Sequence, residues 1–110
     1  MVEPGLDRYE WESEMQALED QLAENPAEAL PELDRLLERM LAETGYDITD
    51  PVVREGEERE VVAEFLAARE ITTLEEKGNE EIGPGDVAAA INGYRAIYDY
   101  LIANRTADET

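Results

Sequence analysis

The chain has 110 residues, the size of one ordinary domain, and 29 acidic against nine basic residues give it a formal net charge of −20. Its apolar fraction of 43% lies in the range of folded domains, which excludes disorder by composition. The charge disfavours direct binding to nucleic acid or to an anionic membrane surface, and it favours basic protein partners.

The first predicted helix lies ahead of Asn25-Pro26. Its large apolar residues recur at steps of four, three and four: Trp11, Met15, Leu18 and Leu22. This spacing places them on one narrow stripe of a helix. Pro26 ends the helix, because proline disfavours a helical conformation in the residue before it.

A second helix is predicted to start at Pro26 or Pro31, since proline fits the first helical turn. Its apolar residues cover roughly 140° of the helical wheel, a width that predicts two neighbouring helices. They are Leu30, Leu33, Leu36, Leu37, Met40 and Leu41. Gly45 is a plausible left-handed C-cap, and Asp50 and Pro51 are placed as the N-cap and first residue of a third helix, which otherwise begins just past Gly56.

The third segment has one clear apolar stripe, formed by Val61, Val62, Phe65, Leu66 and Ala68. Ile71 and Leu74 fall on the opposite side of a continuous helical wheel. Either the helix breaks or bends around 71–73, where β-branched residues lower helix propensity, or its far side meets a second surface such as another subunit. Gly78 and Asn79 end the segment.

The fourth helix has the clearest start, at Gly83-Pro84-Gly85-Asp86, and is predicted to run to Ala103 or Asn104. A seam at coiled-coil spacing comprises Val87, Ile91, Tyr94, Tyr98 and Leu101, and Ala90, Ile97 and Ile102 widen it. The small residues Ala89, Gly93 and Ala96 would let another helix approach closely. We favour packing within the chain over a dimer seam.

Together the segments predict an all-α, single-domain helical bundle of about four helices over residues 1–110, with the C-terminal helix central. Residues 1–5 and 106–110 are expected to be flexible tails. No apolar run approaches bilayer length, and Glu3 stands where a signal peptide would be basic, so neither secretion nor membrane insertion is indicated. The cytoplasm is the default location.

Catalytic chemistry has few candidates, because the chain contains neither histidine nor cysteine. Their absence removes the commonest general base and the usual zinc ligands, and Ser13, the only serine, has no histidine to activate it. We therefore predict a protein that is not an enzyme, with no catalytic, cofactor-binding or metal-binding residues. Tyr94, Tyr98 and Tyr100 with Arg95 are interpreted as core rather than as a pocket.

Two loops and one acidic run are the remaining candidates for ligand sites. The acidic run comprises Glu55, Glu57, Glu58, Glu60 and Glu64, but its spacing does not match a magnesium-binding cluster, and a solvated helix face explains it. The loop around Asp47, Thr49 and Asp50 lacks the ligand order of an EF-hand. The glycine-rich segment 78–85 lacks the Lys-Ser/Thr element of a phosphate loop.

Interaction is the remaining class of function. The leading hypothesis is a protein–protein interaction or assembly module, with a homodimer as one form, that uses an apolar helix face framed by acids to hold a partner, which the charge would favour to be basic. The candidate residues are Ile71, Leu74, Ala89, Gly93, Ala96 and Tyr100.

Three alternatives have less support. The first is an acidic mimic of nucleic acid that inhibits a nucleic-acid-binding protein, but one helix carries roughly one net charge per 5 Å, against one per about 1.7 Å in duplex DNA. The second is acidity as an adaptation to high salt, which the excess of Glu over Asp argues against. The third is an enzyme acting through carboxylates, magnesium or tyrosine.

Overall fold

The computed structural model describes the backbone of residues 4–46 and 56–109 and the side chains of residues 8–46 and 59–103. These residues form four helices and no strand, which confirms the predicted all-α bundle. The helices are α1 (Pro4–Glu24), α2 (Pro26–Glu43), α3 (Gly56–Glu76) and α4 (Pro84–Glu109).

The centre of the bundle is shared by α2 and α4. Each packs against the other and against both remaining helices, whereas α1 and α3 have no Cα atoms within 8 Å of each other over the described residues. The predicted central position of α4 agrees with this arrangement. The sequence predicted two neighbouring helices for α2, and α2 in fact contacts three.

The core follows the predicted stripes closely. All six predicted apolar residues of α2 are buried, and so are Trp11, Met15 and Leu22 of α1. The buried face of α4 is rotated slightly from the predicted seam. Ala90 and Ile97 are buried, whereas Ile91 and Tyr98 of the seam are only half-buried.

The helices begin and end near the proline, glycine and asparagine residues that the sequence places between them. Asn25 alone separates α1 from α2, with Pro26 in the first helical turn. Gly45 and Gly78 have φ angles of 88° and 74°, a left-handed conformation that glycine adopts without steric cost, and each follows the end of a helix. The predicted cap at Asp50 and Pro51 lies outside the described residues, and α3 begins at Gly56.

Two features differ from the expectation. First, α3 runs unbroken to Glu76, and Ile71 packs against the core, so the helix neither breaks nor leaves Ile71 without contacts. Second, α4 continues to Glu109, beyond the predicted end at 103 or 104. The predicted flexible tails lie partly outside the described residues, which omit 1–3 and 110.

Candidate functional site

The six residues predicted for interaction are divided among different environments. Ile71 and Tyr100 are half-buried and pack against the core, and Leu74 is half-buried. Gly93 is buried against α3, where an added Cβ would lie 3.6 Å from Glu64 Cγ. The two alanines of the ridge, Ala89 and Ala96, are exposed.

Only part of this set forms a common surface. Ala96 and Tyr100 line one depression, together with Glu60 and Glu64 of α3. Gly93 lies beside them, since a Cβ added there would meet Glu64, and this approach belongs to the packing of α3 against α4 within the chain. An intermolecular role for the six residues stays a prediction.

A larger groove lies at the end of the bundle where α1 and α3 end and α2 and α4 begin, and we call it the end groove. Its volume is about 590 Å³. The lining residues are Glu24, Asn25, Pro26, Ala27, Glu28, Glu75, Ile82, Gly83, Pro84, Val87, Ala88 and Ile91. Sequence reasoning missed this groove, because it is assembled from two interhelical connections that are distant in sequence.

The floor of the end groove is apolar. Val87 is buried, and Ala27, Ile82 and Ile91 are half-buried with their inner sides against the core. The outer sides of these residues remain open to the groove. An apolar surface of this kind gains free energy when a ligand removes it from water.

The charged residues that line the end groove are all acidic. Glu24 closes α1, Glu28 lies in the first turn of α2, and Glu75 lies in the last turn of α3. By contrast, a groove of about 310 Å³ between α1 and α2 is lined by two glutamates and by Arg35 and Arg39. The end groove therefore differs in charge from this second groove, and it is larger than the depression at Ala96 and Tyr100, whose charged lining residues are also glutamates.

Helix ends of both polarities meet at this rim, because α1 and α3 end there and α2 and α4 begin there. The C-termini of α1 and α3 both point to the groove end, and neither helix has a basic residue in its last turn. A carboxylate at a helix C-terminus opposes the dipole by about 0.3–1 kcal/mol at an exposed site. Glu24 and Glu75 thus occupy helix C-terminal positions at which a cation would stabilise the helix better than a carboxylate does.

A second feature, which we call the polar cluster, is buried between α2, α3 and α4. Arg69 donates hydrogen bonds to both carboxylate oxygens of Asp34, from Nε to Oδ2 at 3.0 Å and from Nη2 to Oδ1 at 2.7 Å. The Tyr94 hydroxyl lies 2.8 Å from Asp34 Oδ2 and 2.7 Å from Thr72 Oγ1. Because Tyr94 donates its single proton to Asp34, the Thr72 hydroxyl shares its own proton between the Tyr94 oxygen and the Ala68 carbonyl, 3.0 Å away.

The polar cluster is internally satisfied. Asp34 is only 8% exposed, yet its carboxylate accepts from a guanidinium and a phenol. The hydrogen bond to Asp34 raises the pKa of Arg69 above its ordinary value, and burial raises the pKa of Tyr94. Arg69 and Tyr94 therefore keep their protons more tightly than usual, and their hydrogen bonds to Asp34 join α2, α3 and α4.

The cluster was also missed from the sequence, although it left one signal. Asp34 stands four residues after Leu30 and three before Leu37, at the edge of the apolar stripe of α2. A carboxylate that the fold buries beside such a stripe needs a partner. Tertiary packing supplies this partner, which is Arg69.

The described residues contain no group of three or more acidic side chains arranged to hold a metal ion. Within the same part of the chain, no helix is both long enough and apolar enough to cross a membrane. Comparisons with known proteins found no matching family, no matching curated protein and no matching solved structure.

Proposed function

We propose that this chain is a non-enzymatic interaction module that holds a basic segment of another protein in the end groove. The observation that carries the proposal is the combination of an apolar floor with a rim whose charged residues are all carboxylates. A segment with apolar side chains flanked by lysine or arginine would complement both parts.

Two free-energy terms support binding of this kind. Burial of apolar floor contributes about 25 cal/mol per Å² removed from water. The rim carboxylates and the net charge of −20 attract a cationic segment over long range, which raises the association rate more than the final affinity. Added salt should therefore slow association while leaving the apolar contribution in place.

The alternative forms of interaction predict different behaviour. A mimic of nucleic acid would bind through rows of carboxylates, so the apolar floor would not matter for its affinity. A homodimer formed through the end groove would bring two acidic rims together, and like charges across an interface oppose association. The mimic of nucleic acid makes no use of the apolar floor, and the homodimer is opposed by its two acidic rims.

A defined peptide tests the proposal. The probe is a fluorescent amphipathic peptide of about 14 leucine and lysine residues, and its binding is followed by fluorescence anisotropy at low and moderate salt. The variant Glu24→Gln/Glu28→Gln removes two rim charges. Its matched control, Glu10→Gln/Glu60→Gln, removes two exposed charges that do not line the groove and leaves the same net charge.

We expect the rim variant to weaken binding about tenfold, which corresponds to about 1.4 kcal/mol, and the control to change it less than about twofold. Equal losses in both variants would show that only total charge matters and would favour the mimic of nucleic acid. If the unmodified protein does not bind the peptide even at low salt, the proposal is wrong.

A further inference from the structure

We infer that the occupant of the end groove is an amphipathic α-helix of the partner, with an apolar face and lysine or arginine beside it, rather than an extended segment. The inference rests on the proposed function of the groove. It follows from the backbone groups at the groove and from the placement of its charges.

Several backbone N–H groups at the two helix starts already have partners. Glu28 and Ala29 donate to the Asn25 carbonyl at 3.1 and 3.2 Å. Pro26 and Pro84 have no backbone N–H to offer.

The start of α4 repeats this arrangement. Asp86 and Val87 donate to the Gly83 carbonyl at 3.0 and 3.1 Å. The Gly83 N–H donates in turn to Asp86 Oδ2 at 3.1 Å. Both walls therefore present donors that are satisfied within the chain.

Several carbonyl groups in the last turns of α1 and α3 are used in the same way. Gln21, in the last turn of α1, accepts from the Asn25 N–H at 2.7 Å. In the last turn of α3, Leu74 and Glu75 accept from Asn79 and Gly78 at 3.1 and 3.0 Å. These carbonyls already have partners on both sides of the groove.

An extended segment gains affinity by adding main-chain hydrogen bonds to its receptor, as when a strand joins a sheet edge. Donors and acceptors that already have partners give it little to pair with, and its own buried N–H and C=O groups would be left unsatisfied at a cost. A helix satisfies its backbone internally and needs only side-chain contacts. The groove therefore suits a helix.

The charges fit the same occupant. Glu24 and Glu28 line the side formed by α1 and α2, whereas Glu75 comes from α3. A helix seated on Val87 and Ile91 could place basic residues three or four positions from its apolar anchors and reach carboxylates on both sides. The positive N-terminal end of its dipole would also be attracted to this acidic end of the bundle.

A pair of stereochemically different peptides tests the inference. The first is the leucine–lysine peptide used above, and the second has the same sequence with three residues as D-enantiomers, which preserves charge and composition but prevents a right-handed helix. Binding is measured by anisotropy, peptide helicity by circular dichroism, and the contact surface by amide chemical shifts of the isotope-labelled protein.

A matched pair of protein variants locates the contact. Ala88→Arg introduces a cation at an exposed lining position of the groove, and Ala63→Arg makes the same change at an exposed position of α3 that does not line it. We expect Ala88→Arg to weaken the first peptide at least about tenfold and Ala63→Arg to change it about twofold or less. Shift changes should centre on the groove-lining residues.

The expected result is that the helical peptide binds at least about tenfold more tightly than its D-containing partner and gains helicity when bound. If both peptides bind equally and both respond to Ala88→Arg, the groove binds basic segments but the helical inference is wrong. If neither peptide binds, or if Ala63→Arg and Ala88→Arg have equal effects, the proposed function itself falls.

Discussion

The hydroxyl of Tyr94 lies 2.8 Å from Oδ2 of Asp34 and joins α4 to α2 across 60 positions of the chain. Tyr94 is fully buried, and its ring also meets the ring of Phe65 edge-on, with 6.1 Å between centroids. The tyrosine thus combines an apolar contact with α3 and a polar contact with α2. The three helices are fixed relative to one another at this point.

Tyr94→Phe should lower the free energy of unfolding by about 1–2 kcal/mol, because it deprives buried Asp34 and Thr72 of one hydrogen-bond partner each while preserving the ring. Urea denaturation measures the change. Tyr9→Phe is the control, since Tyr9 is 65% exposed and its loss of a hydroxyl should cost less than about 0.5 kcal/mol. Equal stability of the two variants would contradict a structural role for the phenol.

Arg69→Met should be more destabilising, by about 2–3 kcal/mol, because it leaves the Asp34 carboxylate buried without its cation. This expected loss of stability is smaller than for a fully buried ion pair, because the Arg69 side chain is 32% exposed. Arg95→Met is the matched control. It breaks the Arg95–Glu19 pair, whose side chains are 43% and 46% exposed, and should cost at most about 1 kcal/mol in the same denaturation experiment.

Gly93→Ala should stabilise the protein by about 0.5–1 kcal/mol, because alanine restricts the unfolded chain and its Cβ would meet Glu64 and Ala68 at ordinary van der Waals distances of 3.6 and 3.7 Å. Gly45→Ala should do the opposite and cost about 1 kcal/mol, since the φ angle of Gly45 is 88°. Thermal unfolding of both variants measures these two changes in stability. A destabilised Gly93→Ala would mean that α3 and α4 need glycine to approach each other.

Stability should fall in alkali as Tyr98 ionises. Burial, with the nearby charges of Glu12 and Asp99, raises the pKa of Tyr98 to about 12 from the ordinary 10.0. Because the folded protein retains the proton more tightly than the unfolded chain, this contribution is complete below pH 10 and is lost as pH rises through 12. Absorbance of the phenolate follows the titration, and Tyr98→Phe should remove the component near pH 12.

The local sequence pattern was sufficient to predict most of the fold. The leucines of α2 recur at helical spacing on one face, so their burial follows from periodicity alone. Gly45 and Gly78 mark helix ends, because few residues other than glycine adopt positive φ angles without strain. Asp86, expected near the start of α4, accepts the Gly83 N–H at 3.1 Å.

The remainder depends on long-range packing. The prediction treated Thr72 as a residue that weakens the helix, but the structure buries it, and its hydroxyl bonds to Ala68 and Tyr94. A helical wheel places Thr72 on the inner face of α3, four residues after Ala68 and seven after Phe65, but helix propensity alone does not reveal the hydroxyl's partners. The end groove escaped prediction for a related reason, since its walls come from two connections that only the tertiary structure brings together.

The single residue between α1 and α2 has a consequence for the order of folding. These helices can pair after closing a very short loop, whereas the contact between Asp34 and Tyr94 must close one of 60 positions at a greater entropic cost. We therefore expect the α1–α2 hairpin to form early and the polar cluster to form last. Pulse-labelling hydrogen exchange would show it as earlier protection of amides in α1 and α2 than in α4, and simultaneous protection would refute this order.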